Sequence, residues 1–390
     1  MNRQSTINNR GPGRILFVVG SLTVGGTETQ LAMLAEQLKI RGWDVDVFPL
    51  EKTGALLDRL ERAGIHVNDG GYDGTRGSKV FRLAVLFVCQ ARLIWRVLRS
   101  RPDVVHGFLP LTNFMSSLAG RLTLVPLVVT SKRALGKHQD RNPGWKWLDR
   151  FANICSHVVT ANSRAVAADT ALRDRYEVSR IVVVPNGLDF HHLDDARDKR
   201  DETRSELGLS KGDIAIVMVA NLIHYKGHRE LIEAFAQIAA SDPRLRLFIA
   251  GEDRGIAQGL LSDARRLGVE SRISLMGPRS DVPVLLSAMD VGVLASHEEG
   301  FSNALLEKLA AGLPVVATNV GGNPEALENM PDCVLVEPQN ADDLARGLAS
   351  VVGSLGAGDR NREFRQNSVR DRYSVDAMVD AYERLYSSRS

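Results

Sequence analysis

Along most of the chain, short runs of consecutive apolar residues alternate with longer stretches in which apolar positions recur every three to four residues. Continuous apolar runs predict strands buried on both faces, and the longer period predicts the helices that cover them. In the first half the runs predict strands at Arg14–Gly20, Trp43–Phe48, Asp103–His106, Pro126–Thr130, His157–Thr160 and Ile181–Val184. In the second half they predict strands at Ile214–Ala220, Leu245–Ala250, Ile273–Leu275, Val291–Leu294 and Pro314–Ala317. The helices between them include Glu28–Arg41, with Leu31, Leu34, Ala35 and Leu38 on one face. Strand–helix alternation of this kind is the signature of parallel α/β sheets.

The pattern breaks once, at Pro185-Asn186-Gly187, and a highly charged stretch from Asp194 to Arg204 follows. Pro and Gly punctuate structure and the charged run resists burial, so the break predicts a domain boundary. The reading is a polar tail over 1–13, a first lobe over 14–187, a linker over 188–205 and a second lobe from 206. Two Rossmann-like α/β lobes meeting across a cleft is the architecture implied, with ligands at the carboxyl ends of the strands. The polar tail lacks the apolar region of a signal peptide, which predicts a cytoplasmic chain.

Composition narrows the classes. Of 390 residues 44% are apolar and 25% charged, which excludes disordered, collagenous and disulfide-scaffold chains. Cys89, Cys155 and Cys333 lie far apart and form no CxxC, so neither a zinc site nor a redox pair is expected. The net charge of +2 conceals a split, because Lys and Arg exceed Asp and Glu by 11 up to Gly187 and fall short by 9 beyond it. A basic half suits an anionic lipid surface, a nucleic acid or a phosphorylated ligand. No basic run with interleaved aromatics, zinc finger or RNP-like motif supports nucleic acid.

The most apolar stretch, Val80 to Leu98, is interrupted by Arg82, Gln90, Arg92 and Arg96 and does not read as a membrane span. Helical spacing puts Arg92, Arg96 and Arg99 on one face of a helix around Val80–Arg101. That helix admits two readings: a core element with a solvated basic face, or a contact with the membrane surface.

Candidate chemistry concentrates in two loops. After the first strand, Gly25-Gly26 opens a helix, which fits a tight turn as well as a phosphate site; the sequence is not GxGxxG. After the Val291–Leu294 strand, Ser296-His297-Glu298-Glu299-Gly300-Phe301-Ser302-Asn303-Ala304-Leu305-Leu306-Glu307 leads into a second helix. There Ser302 can cap the helix beside an anion site, while Glu299 and Glu307 offer carboxylates for sugar hydroxyls. Asp44-Val45-Asp46 matches a DxD metal motif by letters, but it lies inside an alternating strand pattern, and no metal is expected there.

The segment EGFSNALLEKLAAGLPVVATNVGGNPE resembles the E-x7-E region of family 4 glycosyltransferases, retaining enzymes with the two-lobed GT-B fold. Similar matches run in order along nearly the whole chain: GGTETQLAMLAEQLKIRGWDVDVF, PDVVH, ANSRAV, VPNGLD and VANLIHYKGH. The resemblance implies that Glu307 binds the nucleotide ribose, Glu299 contacts the donor sugar and Lys226 meets the diphosphate. It implies donor contacts from Gly25, Gly26, Gly300, Phe301, Ser302, Asn303 and Ala304, and from Asn221, which stands where an arginine is common. Glu299, Lys226 and His106 are its catalytic candidates, with Phe108 as the alternative to His106 because H-x-H reads His106-Gly107-Phe108 here. Phe108, Lys132 and Arg133 are acceptor candidates. The implied reaction moves a sugar from a nucleotide sugar, UDP-linked in preference to GDP-linked, to a lipid-linked or cell-surface glycan, without metal or other cofactor. Implied as well are a second lobe ending at 370, a helix over 371–390 returning to the first lobe, and a place at the inner face of the membrane. A two-lobed sugar-nucleotide epimerase and a non-catalytic sugar-nucleotide binder are the alternatives.

Overall fold

The computed structural model describes residues 12–73, 78–355 and 360–388. The chain forms two compact units; the first takes it up to Gly187 and again from Val375, and the second is Leu188–Ser374. The polar tail lies outside the described residues except for Pro12 and Gly13.

The first unit is built on seven parallel strands: β1 (Arg14–Val19), β2 (Asp44–Pro49), β3 (His66–Val67), β4 (Val104–Phe108), β5 (Leu127–Lys132), β6 (Val158–Ala161) and β7 (Ile181–Val183). Their order is β3-β2-β1-β4-β5-β6-β7. Alternate residues of each strand serve opposite faces, so Ile15, Phe17 and Val19 enter one core while Leu16 and Val18 enter another. Helices Gly26–Ile40 and Val375–Ser387 pack in the first of these cores, where Val379, Tyr382 and Tyr386 are at most 1% exposed. Helices Lys79–Ser100 and Pro110–Leu122 cover the other face.

The second unit holds β8 (Ile214–Val219), β9 (Leu245–Ala250), β10 (Ile273–Leu275), β11 (Val291–Leu294), β12 (Val315–Thr318) and β13 (Val334–Val336), all parallel, in the order β10-β9-β8-β11-β12-β13. Two hydrophobic cores flank this sheet as well.

Three expectations change. The span 188–205 is not a loose linker, because Leu188, Phe190 and Leu193 join a core of the second unit, and Arg200 and Arg204 both reach Asp290, at 2.5 and 2.9 Å. The second unit ends later than 370: helix Arg362–Tyr373 belongs to it, and Tyr373 O accepts from Leu188 N at 2.8 Å. The basic face expected on the Lys79–Ser100 helix is solvated only in part, since Arg92 and Arg99 are exposed while Arg96 is half-buried. Arg96 turns inward to Asp46 at 2.6 Å and Arg92 reaches Gly70 O at 3.2 Å, because a carboxylate as buried as Asp46 requires a cation. The side of that helix left outward is apolar, with Phe87 75% and Trp95 62% exposed.

Candidate functional site

Each sheet has one point where neighbouring strands are followed by connections running to opposite sides, between β1 and β4 and between β8 and β11. Open α/β sheets bind ligands outside the carboxyl ends of the strands at such points. The candidate residues lie within, at the end of or just after one of these strands or its neighbour β5, except Gly26 on the helix after β1 and Asn303, Ala304 and Glu307 on the helix after β11.

In the second unit, the loop after β8 carries Asn221 and Lys226, and the loop after β11 carries Ser296 to Ser302. The two loops are fastened to each other, since His297 N donates to Tyr225 O at 2.7 Å. Gly227 has φ +74°, and a Cβ there would lie 2.0 Å from Ala295 O, so only glycine permits this approach. Across it, Lys226 Nζ donates to Glu299 Oε1 at 2.7 Å, and Ser296 Oγ donates to the same oxygen at 2.7 Å. Ser302 caps helix Asn303–Ala310 by accepting from Leu305 N at 3.3 Å. Helix amides at such an end suit an anion. Gly300 and Phe301 shape the loop: Gly300 O accepts from Gly322 N, and Phe301 packs into the core beside Tyr373. Asn221 Oδ1 accepts from Glu252 N at 3.2 Å.

Glu307 and the adjacent Lys308 complete the group. Burial pushes the Glu307 carboxyl above its usual range, with Lys308 opposing. Burial pulls Lys308 down to about 8, against the attraction of Glu307 and Glu299, while Lys226 repels it. Lys308 Nζ donates to Ala304 O at 3.0 Å, and its stem lies over Gly292, where a Cβ would meet it at 2.7 Å. Sequence reasoning missed Ser296 and Lys308. A serine three residues before the glutamate it orients, and a lysine on an otherwise apolar helix face, were the available signals. A cavity of about 1030 Å³ lies in this unit too, but it opens at the amino-terminal edge, by Asp213 and Leu245.

In the first unit, Gly25 is the N-cap of helix Gly26–Ile40 and offers no side-chain cap. Glu28 stands close by, its carboxyl pushed up by burial against a backbone hydrogen bond and the pull of Arg133.

The remaining candidates of this unit lie elsewhere than expected. His106 is wholly buried; its Nδ1 is 2.7 Å from Tyr386 Oη and its Nε2 is 2.7 Å from Ser131 Oγ. Burial, and then the charge of Arg133, hold it well below the usual histidine range, so the ring is neutral. With both nitrogens taken, His106 is a structural residue and not a catalytic one. Phe108, stacked on His106 at 4.2 Å and 1% exposed, is equally a core residue and not an acceptor contact. Lys132 donates to Asp149 at 2.8 Å and to Asp174 at 3.3 Å, both buried, so its charge serves the interior and not an acceptor phosphate. Arg133 is 8% exposed and donates to Asn186 Oδ1 at 2.6 Å. It too faces inward.

Asp44 and Asp46 lie two residues apart on the same face of β2 and are held by Arg14 and Arg96, each at 2.6 Å. Among the described residues no three His, Cys, Asp or Glu side chains converge as a metal site, and no helix is long and apolar enough to cross a membrane. At the carboxyl edge of the sheet, Leu109 adopts φ +75°, rare for a residue with a side chain. It lines an apolar cavity of about 320 Å³ with Leu50, Leu111 and Trp145.

Comparison with known proteins agrees with this fold. Residues 24–192 match the model of Glycosyltransferase Family 4, and residues 199–369 match that of Glycosyl transferases group 1. The chain is 26% identical over 296 residues to the UDP-Gal:alpha-D-GlcNAc-diphosphoundecaprenol alpha-1,3-galactosyltransferase of Escherichia coli, covering 74% of this chain and 76% of that one. It is 29% identical over 392 residues to a D-inositol 3-phosphate glycosyltransferase of Geodermatophilus obscurus, covering 93% and 85%. Anabaena HepE, solved in complex with UDP and glucose, superposes with a TM-score of 0.82 at 22% identity over 96% of this chain and 100% of that one. WaaG, a glycosyltransferase involved in lipopolysaccharide biosynthesis, gives 0.72 at 17% identity over 95% and 99%. With two Rossmann-like units of the GT-B class and these matches along both, the chain belongs to the family 4 glycosyltransferases.

Proposed function

We propose that the chain transfers a sugar from a nucleotide sugar, UDP-linked in preference to GDP-linked, to a lipid-linked or cell-surface glycan, with retention of anomeric configuration and without a metal ion. The observation that carries this reading is the group at the β8–β11 edge, where Lys226, Ser296 and Glu299 are bonded together in the loops before the capped helix that carries Glu307. A cation and helix amides suit a diphosphate, and the two carboxylates suit ribose and sugar hydroxyls. The donor preference draws on HepE, which was solved with UDP, and on the Escherichia coli relative, whose donor is UDP-Gal. That relative's acceptor is carried on diphosphoundecaprenol, which supports a lipid-linked acceptor and contact of the basic first unit with an anionic membrane at its cytoplasmic face.

In the reaction the bond from the anomeric carbon to the diphosphate breaks and the acceptor oxygen bonds to the same face of that carbon. The acceptor proton passes to the departing phosphate oxygen, so no covalent enzyme intermediate is required. Lys226 and the helix amides stabilise the charge that develops on the diphosphate, the kind of preorganised electrostatics that contributes most to many enzymes. Binding assays with UDP-glucose, UDP-galactose, UDP-GlcNAc and GDP-mannose, followed by NMR of the product's anomeric configuration, test the reading. Binding of no nucleotide sugar, or an inverted product, would contradict it.

A further inference from the structure

One helix layer of the first unit presents an apolar surface to solvent. Helices Lys79–Ser100 and Gly144–Cys155 both pack against Pro110–Leu122. On the first, Val80, Leu83, Phe87, Trp95 and Leu98 are between 56% and 77% exposed. They recur at helical spacing along its whole length, with exposed Ala84 and Ala91 completing the stripe. On the second, Trp147 and Ile154 are 72% and 73% exposed, with Phe151 one turn from each. Apolar residues scattered singly over a surface need no explanation, whereas a contiguous apolar face marks an interaction site.

Charge identifies the occupant. The three helices hold five, one and two Lys or Arg residues against a single acidic residue, Asp149, which is 1% exposed and paired with Lys132. The Arg99 guanidinium lies 6.0 Å from the Trp95 ring and that of Arg150 lies 5.6 Å from the Trp147 ring, so cations stand directly beside the outward aromatics. A second copy of the chain on this face would bring like charges together, which is costly. Apolar side chains interleaved with cations, with no exposed carboxylate, match the boundary between acyl chains and anionic headgroups.

We infer that this face docks on the surface of an anionic lipid bilayer, with the Phe87–Trp95 stripe entering the headgroup boundary and the neighbouring arginines meeting lipid phosphates. The inference rests on the membrane contact proposed above and gives it a surface and a mode, apolar insertion flanked by the exposed Arg92 and Arg99.

Flotation of the full chain with phosphatidylcholine vesicles, alone or mixed with phosphatidylglycerol, tests it. The expected result is at least about tenfold stronger partitioning onto the anionic vesicles, weakening as salt is raised. The double variant Phe87→Glu, Trp95→Glu should lose about tenfold or more of that partitioning with an unchanged circular dichroism spectrum, because both side chains already face water. Equal partitioning onto neutral vesicles, an undiminished variant, or a dimer abolished by the variant with no vesicle binding would each overturn the inference. Transfer to a detergent-dispersed acceptor reads the enzyme assignment separately. Activity without vesicle binding defeats only the docking surface, and vesicle binding without transfer defeats only the proposed reaction.

Discussion

Lys226 and Glu299 neutralise each other across 2.7 Å, with side chains only 20% and 11% exposed. A diphosphate bound by Lys226, as proposed, would compete with Glu299 for the lysine. The Glu299→Gln substitution removes that competitor while keeping the shape, so UDP alone is expected to bind several-fold more tightly while turnover of the UDP-sugar falls. Calorimetry and steady-state kinetics on one preparation check the split; parallel changes in both would remove Glu299 from the sugar. His106 carries the opposite expectation. Replacing it by Ala leaves a cavity and orphans Tyr386 and Ser131, which should cost about 2–4 kcal/mol of stability with UDP affinity unchanged. Chemical denaturation with parallel UDP binding measures both. Sequence placed His106 at the end of a strand but could not show what meets it, because Tyr386 lies 280 residues further along the chain.

At the scale of elements, helix Gly144–Cys155 is anchored by one carboxylate. Burial pushes the pKa of Asp149 up, but hydrogen bonds from His138, Lys132 and Gln139 outweigh it and hold the group at about 2. A carboxyl lowered on folding contributes stability that is complete above its unfolded value, ~3.9, and is lost as pH falls through the folded one. Asp149→Asn is expected to cost about 2 kcal/mol at neutral pH, the difference from wild type shrinking between about pH 4 and pH 2. Denaturant titrations across that range would show it, and a pH-independent difference would count against the buried ion pair. The strand runs were legible to within about two residues because buried parallel strands are continuously apolar. The edge strands β3 and β13, of two and three residues, are not read from the sequence, whereas the three-residue β7 and β10 are. The Lys79–Ser100 helix shows a different limit. Periodicity grouped Arg92, Arg96 and Arg99 on one face, but only the position of Asp46 on β2 decides that Arg96 turns inward.

At the scale of the whole molecule, the chain completes its first unit with its last helix. Met378, Val379, Tyr382, Leu385 and Tyr386 are all at most 9% exposed in that unit's core, and burying each contributes roughly 1.5–3 kcal/mol. Their sum rivals the ~5–15 kcal/mol stability of a typical domain. Deleting 375–390 is expected to make the first unit protease-sensitive while 188–374 stays resistant and still binds UDP. Equal sensitivity of both units would mean that their cores are not separate. The E-x7-E segment made the candidate Glu299–Glu307 loop and helix legible because its parts are close in sequence, whereas the ion pairs that claim Lys132 depend on carboxylates 17 and 42 residues away.

The account stands on Glu307 as the nucleotide's partner in the second unit. Equilibrium titration of the same UDP-sugar into wild type and Glu307→Ala is its most direct test. Loss of a hydrogen bond to a charged group, about 1.5–3 kcal/mol, predicts roughly ten- to hundredfold weaker binding by the variant. Equal affinity in a variant that remains folded would contradict the placement of the donor at this site.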